Sequence, residues 1–270
     1  MLFRIFLIIN QIKQKDMRKY PSDLTDIQWQ IIKNYYDNKR KRKYSIREIF
    51  NALLYLIKSG VQWRMLPLEF PKWQLVYYYF RKWVVEGLIE EIHDGLRERI
   101  RFKLKRNICP SLGLLDSQTV KTHSVTNEKG YDGNKKIQGR KRHVITDTLG
   151  FILAIVIHSA DINDRSGAKL VLEEMKHKYP RLKKILADQG YTGELVDTVI
   201  KMYDLTIEIV KKVVGLTGFN VLPKRWIVER TFGWLGFQRR LVRDYEVLTE
   251  NSVAFTHIAM IRIMLNRIKK

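Results

Sequence analysis

Residues 139–160 read GRKRHVITDTLGFILAIVIHSA. His143 to Thr148 forms one extended arm, Leu149-Gly150 a turn, and Phe151 to His158 a second arm, which together predict an antiparallel hairpin. Upstream, LGLLDSQTVK (112–121) is an apolar run ending in polar residues, the pattern of a buried strand. Downstream, ADINDRSGAKLVLEEMKHKYP opens a helix near Asp164, RLKKILADQGY (181–191) is a strand that ends at an acid, GELVDTVIKMYD is a helix and LTIEIVKK a strand. The stretch LPKRWIVERTFGWLGFQRRLVRDYE (222–246) reads as a further helix.

Strand, hairpin, helix, strand, helix, strand, helix is the order of the ribonuclease H-like fold. The expectation for this part is α/β, a mixed sheet flanked by helices. Ahead of it the chain reads as helical. Thr25-x-x-Gln28 and Ser45-x-x-Glu48 have the form of capping boxes. Ile49, Leu53, Leu56 and Ile57 recur at helical spacing up to Gly60, and KWQLVYYYFRKWVVEGLIEEI gives a third helix after the turn VQWRMLPLEFP. Three helices with a break after the second predict an all-helical, helix-turn-helix-like domain. The expected division is 1–16 as a dispensable extension, 17–106 as the helical domain and 107–270 as the ribonuclease H-like domain.

The chain has 270 residues with 50 Lys+Arg against 28 Asp+Glu, a formal net charge of +22. On a sequence that is 45% hydrophobic and can build a core, such a charge predicts a polyanionic partner, with nucleic acid the default. A single cysteine, Cys109, excludes an intrachain disulfide framework and a CxxC metal site. No HxxxH, HExxH or GxxxxGK[ST] occurs, so neither zinc nor a nucleotide-driven motor is indicated. The apolar run at residues 1–16 is too short to span a bilayer, and the expected location is cytoplasmic, with the nucleoid of a bacterium.

The expectation is that Asp116 lies at the end of the first strand and Asp188 at the end of the fourth. In open α/β sheets functional groups gather beyond strand ends, and these two strands are neighbours in the expected order. Glu229 arrives on the last helix. Three carboxylates in one place repel, each pair by roughly 4 kcal/mol at about 4 Å and an effective dielectric near 20. A hard divalent cation relieves that repulsion: two Mg²⁺ ions, with Mn²⁺ as substitute, suit oxygen ligands and phosphoryl transfer. For DNA contact the candidates are Trp63 and Arg64 on the turn, Lys72, Gln74, Arg81 and Lys82 on the third helix, the run Arg140, Lys141 and Arg142, and Arg225, Arg230, Arg239 and Arg240 around Glu229. Gln and Arg can read base edges, whereas most Lys and Arg meet phosphates. Gly233 and Gly236 share the Glu229 face of the last helix and leave it bare for a phosphate backbone.

The stretches YPSDLTDIQW, GVQWRMLP, LLDSQTVKTH, GRKRHVITDTLG, ILADQGYTG and RWIVERTFGWLGFQRRLVRDYE are similar to insertion-sequence transposases of the IS5 type, within the DDE class. The resemblance spans about residues 20–250. It implies that Asp116, Asp188 and Glu229 are the catalytic, metal-binding triad of a Mg²⁺-dependent DNA endonuclease and strand transferase. It also implies an N-terminal domain that binds the inverted-repeat ends of the mobile element, with double-stranded DNA as partner and a homodimer or larger assembly on it. Related transposases carry a basic residue seven or eight positions after the glutamate. Here those positions are Gly236 and Phe237, and Arg239 and Arg240 are the nearest substitutes. Two other readings stay open at the level of sequence: a catalytically silent, transposase-derived DNA-binding protein, and a ribonuclease H-like nuclease.

Overall fold

The computed structural model describes residues 19–36, 43–123, 125–175, 177–192, 203, 205–210 and 224–268. Strand β1 (Leu112–Lys121) is the axis of the sheet. On one side it pairs antiparallel with β3 (Ile137–Thr146), which pairs antiparallel with β4 (Ile152–Ser159). On its other side it pairs parallel with β5 (Lys184–Ala187), which pairs parallel with β6 (Thr206–Ile209). A short β2 (Gly130–Asp132), absent from the sequence reading, adds to β3 beyond the end of β4. The order β4-β3-β1-β5-β6, with the first three strands antiparallel and the last two parallel to β1, is that of a ribonuclease H-like sheet.

The two-residue period of the strands sorts their side chains into two cores. Leu114, Val144, Ile152 and Ile155 face a large core shared with the helices, whereas Leu115, Ile145 and Ile185 face a smaller one under α5 (Asp164–Met175) with Ala168, Val171 and Leu172. Gly150, with φ of 84°, turns the β3–β4 hairpin where the sequence placed it. Asp147 fixes that turn by accepting from the Leu149 and Phe151 amides, each at 2.9 Å. Buried Arg101 pairs with the same carboxyl.

Four helices precede the sheet: α1 (Asp26–Ile32), α2 (Ile46–Ser59), α3 (Trp73–Val85) and α4 (Leu88–Lys103). Both expected capping boxes form, at Thr25/Gln28 and Ser45/Glu48. The segment expected as one third helix is broken at Gly87, whose φ of 70° ends α3 and starts α4. Residues 60–72 connect α2 to α3 and contain a single 3₁₀ turn, Trp63–Met65. Helix α6 (Trp226–Gly236) is followed by a 3₁₀ turn at Arg239–Leu241 and by α7 (Thr249–Ile268). Phe255, Ile258 and Ile261 of α7 complete one continuous core with Phe50 and Ile57 of α2, Phe80 and Trp83 of α3, and Leu96 of α4. Each such side chain contributes about 1.5–3 kcal/mol by leaving water.

The stretch 222–246, expected as one helix, is helical only to Gly236. Gln238 takes an extended conformation (φ −97°, ψ 104°) and is buried, which turns the chain inward. The expected extension at 1–16 and nearly all of the expected helix at 193–204 lie outside the described residues.

Candidate active site

The parallel pair β1–β5 ends in the register Leu114↔Leu186. Asp116 and Asp188 each stand two residues past that pair, so the period of the strands directs both to the same face at the point where the two strands part. The Ser117 amide donates to Asp116 Oδ1 at 2.7 Å, and the Gly190 amide donates to Asp188 Oδ1 at 2.9 Å. A Cβ on Gly190 would stand 3.1 Å from that same oxygen, so glycine lets the turn close on the acid. Glu229 lies in the first turn of α6, which packs on β1 and β3.

What joins the three acids is Arg225, the residue that precedes α6. Its Nη1 is 3.0 Å from Asp188 Oδ2, and its Nη2 is 3.0 Å from Glu229 Oε1 and 4.0 Å from Asp116 Oδ2. Burial pushes the Asp116 carboxyl up to about 6, against the opposing pull of the Ser117 amide and Arg225. Burial works against the Arg225 charge, but its bonds to Asp188 and Glu229 outweigh this and raise its pKa above the usual value.

Three carboxylates around one guanidinium leave two negative charges uncompensated. The donors are all hard oxygens, the set that suits Mg²⁺ or Mn²⁺. The guanidinium stands between them, and among the described residues no group of three His, Cys, Asp or Glu is close enough to hold an ion in this arrangement. The residues therefore fit a divalent cation by chemistry, on condition that Arg225 withdraws.

Around this centre, a side chain at Gly233 or Gly236 would meet nothing within 4 Å, so that face of α6 is open. Trp226 is exposed on the same helix. Arg230 lies between Trp226 and Trp234, 4.6 and 4.5 Å from their ring centres, and donates to Leu149 O at 3.0 Å. Arg239 is exposed, whereas Arg240 is buried against Glu246 at 2.6 Å and over the Phe255 ring.

The remaining candidates divide by burial. Arg64, Lys72, Gln74 and Lys82 are exposed. Arg81 is held by Glu250 at 2.7 Å, and Trp63 packs among Tyr77, Phe80 and Phe255. Arg140, Lys141 and Arg142 are interior. Arg140 donates to the carbonyls of Asn127, Glu128, Glu246 and Val247, Arg142 to that of Leu241, and Lys141 pairs with Asp164 at 3.1 Å. Asp164 is absent from the sequence-derived site because an Asp opening a helix reads as a cap. The Asp161-x-x-Asp164-Arg165 pattern carries no signal that its partner is a buried lysine on β3. Among the described residues no helix is long and apolar enough to cross a membrane.

Comparison with known proteins matches residues 107–264, more than half of the chain, to the family described as "Transposase DDE domain". Residues 24–93 match the family described as "Putative transposase of IS4/5 family (DUF4096)". A relative from Burkholderia cepacia, described as "Putative transposase for insertion sequence element IS402", is 28% identical over 140 residues. That match covers 49% of this chain and 65% of the relative, a little under two thirds of its length. Among solved structures, one described as "Crystal structure of the Mos1 Strand Transfer Complex" aligns with 87% of this chain and 79% of its own, at 12% identity and a TM-score of 0.30.

Proposed function

The chain belongs to the transposase DDE domain family, and from that premise we propose that it cuts the ends of an insertion element and joins them to target DNA. The observation that supports this reading is the convergence of Asp116, Asp188 and Glu229 on one cation, Arg225, at the place where β1 and β5 part. The three carboxylates would hold the divalent ions, Mg²⁺ in the cell, and a bound pair supplies charge stabilisation for in-line phosphoryl transfer.

The rest falls to the chain's own groups. Asp116 and Asp188, each with Oδ1 fixed by a backbone amide, would offer Oδ2 once Arg225 withdraws. Arg225 leaves them for a phosphate of the DNA, an exchange of one anionic partner for another. The open face at Gly233 and Gly236 admits the backbone close to Glu229, and the exposed Arg239 lies just past that face. Residues 17–106 would carry the recognition of the element's ends through the exposed Arg64, Lys72, Gln74 and Lys82, and residues 107–270 the chemistry. Joining two ends calls for at least two copies on the DNA.

The deciding experiment uses double-stranded DNA bearing the inverted repeats that flank the coding sequence. Asp188→Asn abolishes strand cleavage in Mg²⁺ while a gel shift with the same DNA persists. Cleavage that survives the substitution would overturn the triad, and a gel shift without cleavage by the unaltered protein would make it a silent DNA-binding relative.

A further inference from the structure

On the opposite face of β1 from Asp116 lies a second polar centre. Asp164, the first residue of α5, accepts from Ser117 Oγ at 3.0 Å and from Lys141 Nζ at 3.1 Å, both on the same oxygen, Oδ1. Lys141 is 5% exposed, on β3, opposite Thr119 of β1. Its ammonium also donates to Ile162 O at 2.9 Å, which holds the turn that enters α5. A buried ammonium requires a fixed anionic partner.

Behind this pair stands a stacked imidazole pair. His143 Nδ1 and His158 Nε2 are 2.8 Å apart, and His158 Nδ1 donates to Ser159 O at 2.7 Å. Helix α5 reaches them because residue 167 is glycine. A Cβ there would stand 2.2 Å from His143 Cε1 and 2.6 Å from His158 Nε2. The helix is thus brought to the sheet at the height of Ser117. The other Asp164 oxygen, Oδ2, faces the Asp188 turn, 3.8 Å from where a Gly190 Cβ would be.

We infer that Asp164 is a positioning residue for the site, acting through Ser117 on Asp116; this rests on the triad reading above. The reason is local to β1. Pairing with β5 stops at Leu114, so residues 115–117 keep only β3 as a ladder neighbour. The Ser117–Asp164 bond adds a tether from the face of the sheet. It holds residue 117 where the ladder to β5 has ended, and the Ser117 amide in turn fixes the Asp116 carboxyl. The device ties three elements, β1, β3 and α5, at the residue next to the acid, which a simple helix cap does not require.

The test is Mn²⁺ binding to the full-length, DNA-free protein, read by electron paramagnetic resonance, with melting temperature in parallel. Ser117→Ala and Asp164→Ala are each expected to weaken Mn²⁺ binding about tenfold, the range for groups that orient metal ligands. The double variant is expected to weaken it no further than either single one. Asp188→Asn is the reference. Mn²⁺ binding unchanged in Asp188→Asn sinks the triad reading itself. Loss in Asp188→Asn with wild-type binding in Ser117→Ala and Asp164→Ala sinks the positioning role alone. A loss in Asp164→Ala as deep as in Asp188→Asn, with Ser117→Ala unaffected, makes Asp164 a direct ligand and also overturns it. Should Asp164→Ala not fold, Ser117→Ala decides alone, since it removes the hydroxyl and leaves the Asp164–Lys141 pair in place: wild-type Mn²⁺ binding by a folded Ser117→Ala overturns the positioning role.

Discussion

Arg225 Nη1 lies 3.0 Å from Asp188 Oδ2, and the same guanidinium bonds Glu229 one helical turn later in the chain. One side chain thus ties β5 to α6. Arg225→Ala leaves three carboxylates without a counter-charge and is expected to destabilise the protein by about 1–3 kcal/mol in EDTA. Mg²⁺ should then raise the melting temperature of the variant more than that of the wild type. Equal Mg²⁺ shifts in differential scanning fluorimetry would show that Arg225 and the metal do not share these carboxylates.

Asp116 gives the protein a pH signature. Its carboxyl is pushed by burial from an ordinary 3.8 to about 6. The folded state therefore holds this proton more tightly than the unfolded chain, and stability falls as pH rises from about 4 to about 6. Asp116→Asn removes the buried charge and is expected to gain about 1–3 kcal/mol over wild type at pH 7, a gain that vanishes below pH 4. Urea titrations at the two pH values check both the sign and the window.

The basic residues separate into two kinds with opposite signatures. Arg140→Ala removes the donor to four backbone carbonyls inside the protein and is expected to cost about 3–5 kcal/mol in urea unfolding. Lys72→Ala and Arg64→Ala, on the exposed surface, are expected to change stability by less than about 0.5 kcal/mol. Each should instead lower the salt dependence of DNA binding by about one unit of slope. A stable, folded Arg140→Ala with weakened DNA binding would reverse this assignment.

Gly233 lies inside α6, with empty space where a side chain would stand. Gly233→Ala is expected to stabilise α6 by up to about 1 kcal/mol. Gly233→Leu should fold as well and yet cleave poorly, because the added bulk would stand on the proposed path of the phosphate backbone past Glu229. Full cleavage by a folded Gly233→Leu would show that the DNA takes another path.

The legible parts of the fold are those written in local periodicity. Strand β1, the Leu149-Gly150 turn and the second hairpin arm match the pattern closely, whereas the first arm starts at Ile137, six residues before the expected His143, because the polar run ahead of it hides a strand whose charges are buried. Asp188 is legible because it follows directly on a strand; Asp116, expected at a strand end, stands in the middle of β1, and what ends there is only the pairing with β5. The helix around Glu229 was read ten residues too long. Its basic and apolar residues continue the helical pattern past Gly236, and only the burial of Gln238 and Arg240 in the tertiary structure ends it. Burial of charge is what a single sequence hides best. Arg140, Lys141 and Arg142 look like a surface patch until their partners, scattered over residues 127, 128, 164 and 241–247, are known.

Helix α7 has a consequence for how the molecule comes into being. Gln28 is bonded to Asn266, 238 residues away along the chain, and α2 packs against the same helix. The core of these early helices is therefore complete only when α7 is in place. Pairings of such long range close slowly. Because α7 also lies on β4, the final packing of the early helices and that of the sheet are expected to form together.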